Sequence, residues 1–289
     1  MDRLAALRLF LRVAETGSFS RAAAEMGIAQ SAASRAVSSL EAELGGRLLN
    51  RTTRSLALTD AGRKVCDHAR AVAAEFEAME QAVRGAEREP AGLLRVTASV
   101  ALTRAELAPL AGDFLRAHPR MRLDLAARDD RVDLVAEGID LALRLGELED
   151  SRLTAVFLGS YPRMVVAAPG FRATAPVDLA GLPTISLTSS AFPTRWPLTD
   201  GRAKIEVEIN PTVRTANGDV LADLARSGLG AILAPGFLVA ADLQAGRLVR
   251  VLPDWSGPPL SLWGVWHGRT LPRKARAFLD FLGGRLAVS

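Results

Sequence analysis

The chain has 289 residues, 49% of them hydrophobic, with 36 lysines and arginines against 32 acidic residues and a net charge of +4. That length allows two or three domains with a sizeable core, and no run of eighteen apolar residues suggests a membrane span. The single cysteine, Cys66, excludes an intramolecular disulfide, and no basic stretch leading into an apolar one marks a signal peptide, so a cytoplasmic location is expected.

Lysine occurs only at 64, 204 and 274, so the basic character is arginine's. Its placement carries more than the total. Between Ser31 and Lys64 stand Arg35, Arg47, Arg51, Arg54, Arg63 and Lys64 against Glu41, Glu43 and Asp60, a local balance of +3 and a modest basic patch.

The first helix is expected over 4–15, with Leu4, Leu7, Phe10, Leu11 and Ala14 at helical spacing and Gly17 ending it. Ser18 or Ser20 then caps a short helix over 21–26, whose Ala22-Ala23-Ala24 permits close packing; Gly27 turns the chain and Ile28 plugs the core. A third helix follows from about Gln30 to Leu44. Ala33, Val37, Leu40 and Leu44 make one stripe of it; Ser31, Ser34, Arg35 and Ser38 make another. Small hydroxyls let a helix sit deep in a major groove, and an arginine reaches guanine or phosphate, whereas an ordinary solvated face more often carries Glu and Lys. Residues 47–59 then read as two short apolar segments flanking a polar tip with Arg51, Thr52, Thr53 and Arg54, a hairpin wing for phosphate or minor-groove contact.

Several short motifs in fixed order, Ser18-Phe19-Ser20-Arg21-Ala22-Ala23, Gln30 to Val37, Leu40 to Gly45 and Leu58-Thr59-Asp60-Ala61-Gly62, make this segment resemble LysR-type transcription regulators over about sixty residues. The resemblance implies a winged helix-turn-helix with base-edge contacts from Gln30, Ser31, Ser34 and Arg35 and backbone contacts from Arg51 and Arg54; Ser38 and Thr52 complete the expected DNA-binding set. Two departures stand out: Leu48-Leu49-Asn50-Arg51 where the family usually has Leu-Phe-x-Arg, and Ala29 where many members place a capping Ser or Thr.

Thr59 is positioned to cap a long helix from Asp60 to near Glu87. Val65, Ala69, Val72, Phe76, Met79, Val83 and Ala86 recur at alternating spacings of four and three, a heptad seam. Such a seam packs either on its own domain or on a partner helix; the resemblance favours an antiparallel dimer through it, and commonly a tetramer, with Val65, Val72, Phe76, Met79 and Val83 as the pairing residues. Cys66 and His68 face different directions on this helix, and His118 and His267 stand alone, so no metal site and no cofactor are expected.

Beyond residue 92 strands and helices alternate. Strands are expected at 93–98, 122–127, 139–145, 164–168, 184–187, 204–209, 212–215, 230–233 and 260–267, and helices at 102–117, 131–137, 218–227, 235–241 and 272–286. Asp113 to Pro119, Gly138 to Arg144 and Gly228 to Pro235 again resemble the LysR-type effector domain, which implies an α/β fold of two lobes like a periplasmic solute-binding protein. The domains expected are a DNA-binding domain over 1–59, a linker helix over 60–89, and an effector domain over 92–289, with lobe one at 92–161 plus 267–289 and lobe two at 162–266. The interlobe cleft should expose the N–H groups of Ser99 and Val100, facing Thr188, Ser189, Thr215 and Asn217, with charge from Arg144 or Arg195; in the plainer reading the hydroxyls only cap helices.

The function expected is a sequence-specific transcription regulator binding double-stranded operator DNA, controlled by a small-molecule effector, an organic anion, between the lobes. RNA polymerase is the further partner expected. Catalysis lacks a nucleophile–base pair or phosphate loop. A transport solute-binding protein leaves residues 1–90 without purpose, and an architectural DNA binder wastes the α/β part.

Overall fold

A computed structural model describes residues 2–51, 56–84, 89–148 and 153–288. The wing tip expected at Thr52, Thr53 and Arg54 lies outside them, as do the side chains of Arg51 and Val83.

The N-terminal head is three helices and a hairpin: α1 (Arg3–Thr16), α2 (Phe19–Glu25), α3 (Gln30–Leu44), β1 (Leu49–Arg51) and β2 (Leu56–Leu58). Gly17 ends α1 in the left-handed conformation at φ 60°. Of the two serines offered as the α2 cap, Ser18 takes the role, its hydroxyl accepting Arg21 N–H at 3.3 Å. The helices close on Leu9, Phe10, Val13, Ala22, Ala23, Ala33, Val37 and Leu40. Glu41 ties α3 to the wing, accepting the N–H groups of Leu48 and Leu49 at 2.8 and 3.0 Å. The wing is antiparallel, with Leu49 opposite Leu58 and Arg51 opposite Leu56.

Helix α4 (Asp60–Arg84) begins where the Thr59 hydroxyl accepts Gly62 N–H at 2.9 Å and donates to the Arg47 carbonyl at 2.7 Å. Position 62 admits only glycine, because a Cβ there would stand 2.0 Å from the Leu48 carbonyl oxygen. No described helix is long and apolar enough to cross a membrane.

The C-terminal part is built on a nine-stranded sheet running through two lobes, with a separate two-stranded sheet in the second. In the first lobe β3 (Gly92–Ala98) lies between parallel strands β4 (Met121–Ala127) and β5 (Leu141–Leu145). The long strands β6 (Leu153–Ala167) and β13 (Ser256–His267) run antiparallel to each other and carry the sheet into the second lobe, with Tyr161 opposite Leu260. There β7 (Thr184–Leu187) and β10 (Pro211–Thr215) pair in parallel, β8 (Arg195–Thr199) pairs antiparallel with β9 (Lys204–Glu208), and β11 (Ile232–Pro235) and β12 (Val249–Arg250) add to β6. Strand alternation divides the cores: Leu141 and Leu143 enter one first-lobe cluster and Ala142 the other, while Val165 and Ala167 face away from Val166 in the second lobe. Helices α7 (Gly218–Arg226), α8 (Gly236–Gln244) and α9 (Arg273–Leu282) cover the sheet.

Several elements differ from expectation, among them the strand expected at 164–168, which already begins at Leu153 as β6, and β12, which was not expected. The helix expected at 131–137 is a turn, because Asp133 takes the N–H groups of Val135 and Ala136 at 2.9 and 3.1 Å and caps a segment too short to continue. The helix expected at 102–117 starts earlier and is interrupted: α5 (Val100–Leu102), a π segment at Thr103–Leu107, then α6 (Ala108–Ala117). The final helix stops at Leu282, before Gly283 and Gly284. Strand β8 was not expected, since Pro193 and Pro197 disguise an alternation in which Trp196 and Leu198 point inward.

Candidate DNA-reading face and effector cleft

Ala33, Ala36, Val37 and Leu40 bury one face of α3 in the head, which turns the other outward. Gln30, Ser31, Arg35 and Ser38 are exposed on it and Ser34 is half-buried, so these five sequence-predicted residues share one side of one helix. Arg35 lies back along the helix, its Nε donating to the Ser31 carbonyl at 3.3 Å; reaching a base edge requires releasing that bond. Ala29 gives no side-chain cap, as its chemistry dictates.

Helix α4 divides its seam. Its first turns belong to the head: Cys66 and Ala69 are buried there and Val65, partly buried, packs against the same cluster. Burial pushes the Cys66 thiol up to about 11. Further along, Val72 and Met79 are about half exposed, at 49% and 54%, and Phe76 lies under the Arg8 guanidinium, 6.0 Å from ring centroid. The seam turns outward where the head ends.

The cleft is assembled from strand ends. Ser99 caps the helical segment after β3, its hydroxyl accepting Leu102 N–H at 3.3 Å. Asn217 caps α7 in the same way, its Oδ1 accepting Val220 N–H at 3.0 Å, so the capping reading holds for both. Thr188 and Thr215 meet in the second lobe, where the Thr188 N–H and hydroxyl both donate to the Thr215 carbonyl, at 2.8 and 3.3 Å, and the Thr215 hydroxyl accepts Asn217 N–H at 3.2 Å.

Sequence reasoning missed a carboxylate at the centre of this set. Asp129, just past the end of β4, accepts Val100 N–H at 3.2 Å with one oxygen and the Asn217 amide at 2.6 Å with the other. Two of the donors expected to face a ligand, the Val100 N–H and the Asn217 amide, are therefore taken by the chain's own anion. A second pair, Arg104 with Asp219, joins the lobes beside it, and a Cβ on Gly218 would lie 3.2 Å from Ala101. The signal that was available is position: a carboxylate at the carboxyl end of a parallel strand in an α/β sheet stands where ligands bind.

The two arginines expected nearby hold other partners. Arg195 sits on β8, mostly exposed, its nearest acid Glu206 at 3.7 Å, on a strand paired with β9 rather than at the strand ends of the cleft. Arg144 is half-buried on β5 and donates to the Val132 carbonyl at 3.4 Å; burial, with Arg131 close by, pushes its guanidinium below the ordinary arginine value. Ser189 is exposed beside Thr188.

Comparison with known proteins fits both halves of this geometry. Residues 4–63 match the model of bacterial regulatory helix-turn-helix proteins of the lysR family, and residues 87–287 match the LysR substrate binding domain. Among curated relatives, the regulator PtxR of Pseudomonas aeruginosa is 34% identical over 282 residues, covering 96% of this chain and 90% of its own. CrgA of Neisseria meningitidis serogroup C is also 34% identical, covering 96% of this chain and 94% of its own. A solved structure of CrgA, a LysR-type transcriptional regulator, covers 98% of each chain at 33% identity and a TM-score of 0.61. Full-length OxyR from Pseudomonas aeruginosa, at 19% identity and a TM-score of 0.75 over 99% of each chain, shares the fold. These relatives are named as transcriptional regulators and not as enzymes. With its DNA-binding head and two-lobed substrate-binding domain, the chain belongs to the LysR family of transcription regulators.

Proposed function

We propose that this regulator is controlled by a small organic anion bound between its lobes, and that it binds operator DNA as a homodimer or homotetramer. The observation that carries the effector reading is Asp129: a carboxylate already satisfies the Val100 N–H and the Asn217 amide, so the donor geometry at the cleft suits a carboxylate group. An effector carboxylate competes with Asp129 for these donors. By taking them it releases the tie between lobes, and it shifts the regulator only by its different affinity for the tied and untied states. Thr188, Ser189 and Thr215 supply further hydroxyls from the second lobe. Arg144 contributes positive potential from the first, while Arg195 stays with Glu206 on β8 and β9.

On the DNA side, Gln30, Ser31, Ser34, Arg35 and Ser38 read base edges from the exposed face of α3, with the wing at Arg51, Thr52 and Arg54 on the backbone. Dimerisation runs through α4, at Val72, Phe76 and Met79, along the seam that the sequence continues to Val83. RNA polymerase is proposed as the partner through which bound dimers act.

The test is thermal stability of the full-length protein against a panel of small carboxylates and their neutral amides. Stabilisation by at least one carboxylate and not by its amide is expected. Stabilisation confined to neutral compounds overturns the anion reading.

A further inference from the structure

Glu15, near the end of α1, is enclosed by three arginines from three parts of the chain. Its carboxylate accepts from Arg12 at 2.9 Å within the head, lies 3.8 Å from Arg70 of α4, and accepts from Arg95 of β3 at 3.3 Å. The four side chains are only 17–25% exposed, so this is no solvated surface pair. The contact with Arg95 reaches from the DNA-reading head into the first sensor lobe. The lobe's turn at Gly138 presses on the same point: a Cβ there would stand 3.0 Å from Glu15 Oε1 and 3.4 Å from Arg70 Nη2. A second tie lies further along α4, where the Thr270 hydroxyl donates to Glu75 at 3.0 Å.

Arg95 has another acid within reach. Asp124, its cross-strand neighbour on β4, is 3.7 Å away and belongs to the sensor alone. Glu15 likewise keeps Arg12 and Arg70 without the sensor. Separating head from lobe therefore leaves neither Glu15 nor Arg95 as an unpaired charge, which is the large cost in breaking an enclosed ion pair. A contact whose two halves each have a spare partner opens at low cost.

We propose that Glu15 and Arg95 form a releasable latch that docks the DNA-reading head on the sensor lobe of its own chain, with Asp124 holding Arg95 in the released state. The latch sets the angle at which the head leaves the sensor.

Amide hydrogen exchange on the full-length protein tests this. Glu15→Gln keeps the shape and removes the charge. It should speed exchange in the sensor segments around 138–140 and 268–271 by roughly two- to fivefold, the scale of one partly screened ion pair. Arg95→Gln should do the same to the end of α1, and the double variant should add little, because both act on one contact. Asp124→Asn is the discriminating variant. Removing the competing acid should slow exchange at 138–140, whereas a merely structural Asp124 leaves that segment unchanged or faster. Unaltered exchange at 138–140 in Glu15→Gln, with the head still folded by circular dichroism, overturns the latch, as does unchanged or faster exchange there in Asp124→Asn.

Discussion

The side-chain amide of Asn217 donates to the carboxylate of Asp129 at 2.6 Å, joining two residues 88 positions apart and tying the second lobe to the first. Because the same carboxylate also takes Val100 N–H, one side chain ties the lobes and occupies two of the cleft's donors. Replacing it with Asp129→Ala should raise the apparent affinity for a carboxylate effector about tenfold, as a competing charge-assisted contact worth about 1.4 kcal/mol is removed. Effector titration by calorimetry reads this directly. A fall in that affinity instead would make Asp129 part of the effector's binding site rather than its competitor.

The α3 face carries a prediction of specificity. Arg35→Ala should cost roughly 1–3 kcal/mol on the cognate operator and little on random DNA. Equal losses on the two, measured by fluorescence anisotropy at fixed salt, would show that Arg35 grips phosphate only.

Pairing should depend on the outward half of α4. Phe76→Lys with Met79→Lys is expected to give monomers in sedimentation velocity and weak operator binding, since half-sites are then bound singly. Val65→Ala, by contrast, should lower the melting temperature of the head while leaving the dimer intact, because Val65 packs on its own domain. Intact dimers in the double lysine variant would assign pairing to another surface.

Asp242 anchors the turn after α8, buried at 4% side-chain exposure between Arg226 at 2.5 Å and Arg247 at 2.6 Å. Burial alone would raise its pKa, but the bonds from Arg247 and Arg226 outweigh it and hold the carboxyl below the ordinary value of 3.8. A folded-state pKa below the unfolded one gives stability that is complete above pH about 4 and lost as pH falls through the folded value. Asp242→Asn should lower stability by about 1–3 kcal/mol at pH 7, and that deficit should shrink in acid below pH 4. Urea unfolding at pH 7 and pH 3 checks both; a deficit of equal size at the two would separate the effect from the charge.

Cys66 should be inert in the folded protein. A thiol near 11, against an ordinary 9.0, is about a hundredfold less ionised at neutral pH, and the side chain is buried. Iodoacetamide at pH 8 should label it only on unfolding. Rapid labelling of native protein would mean that α4 leaves the head readily.

The amino-acid sequence by itself determined what neighbours in the chain decide. The two faces of α3, the Thr59 cap on α4 and the strand at 184–187 follow from spacings of two to four residues, and such local bonds form in the structure as they read. The outward turn of the α4 seam was not legible, because Val65 and Val72 are alike in type and spacing; only the position of the head buries the first and exposes the second. The placement of Arg195 on a strand depended on its pairing with β9, which no local pattern announces across Pro193 and Pro197. Asp129 and Asn217, like Glu15 and Arg95, are brought together by the packing of separate units, and a carboxylate's partner at such separation is fixed by the tertiary fold alone.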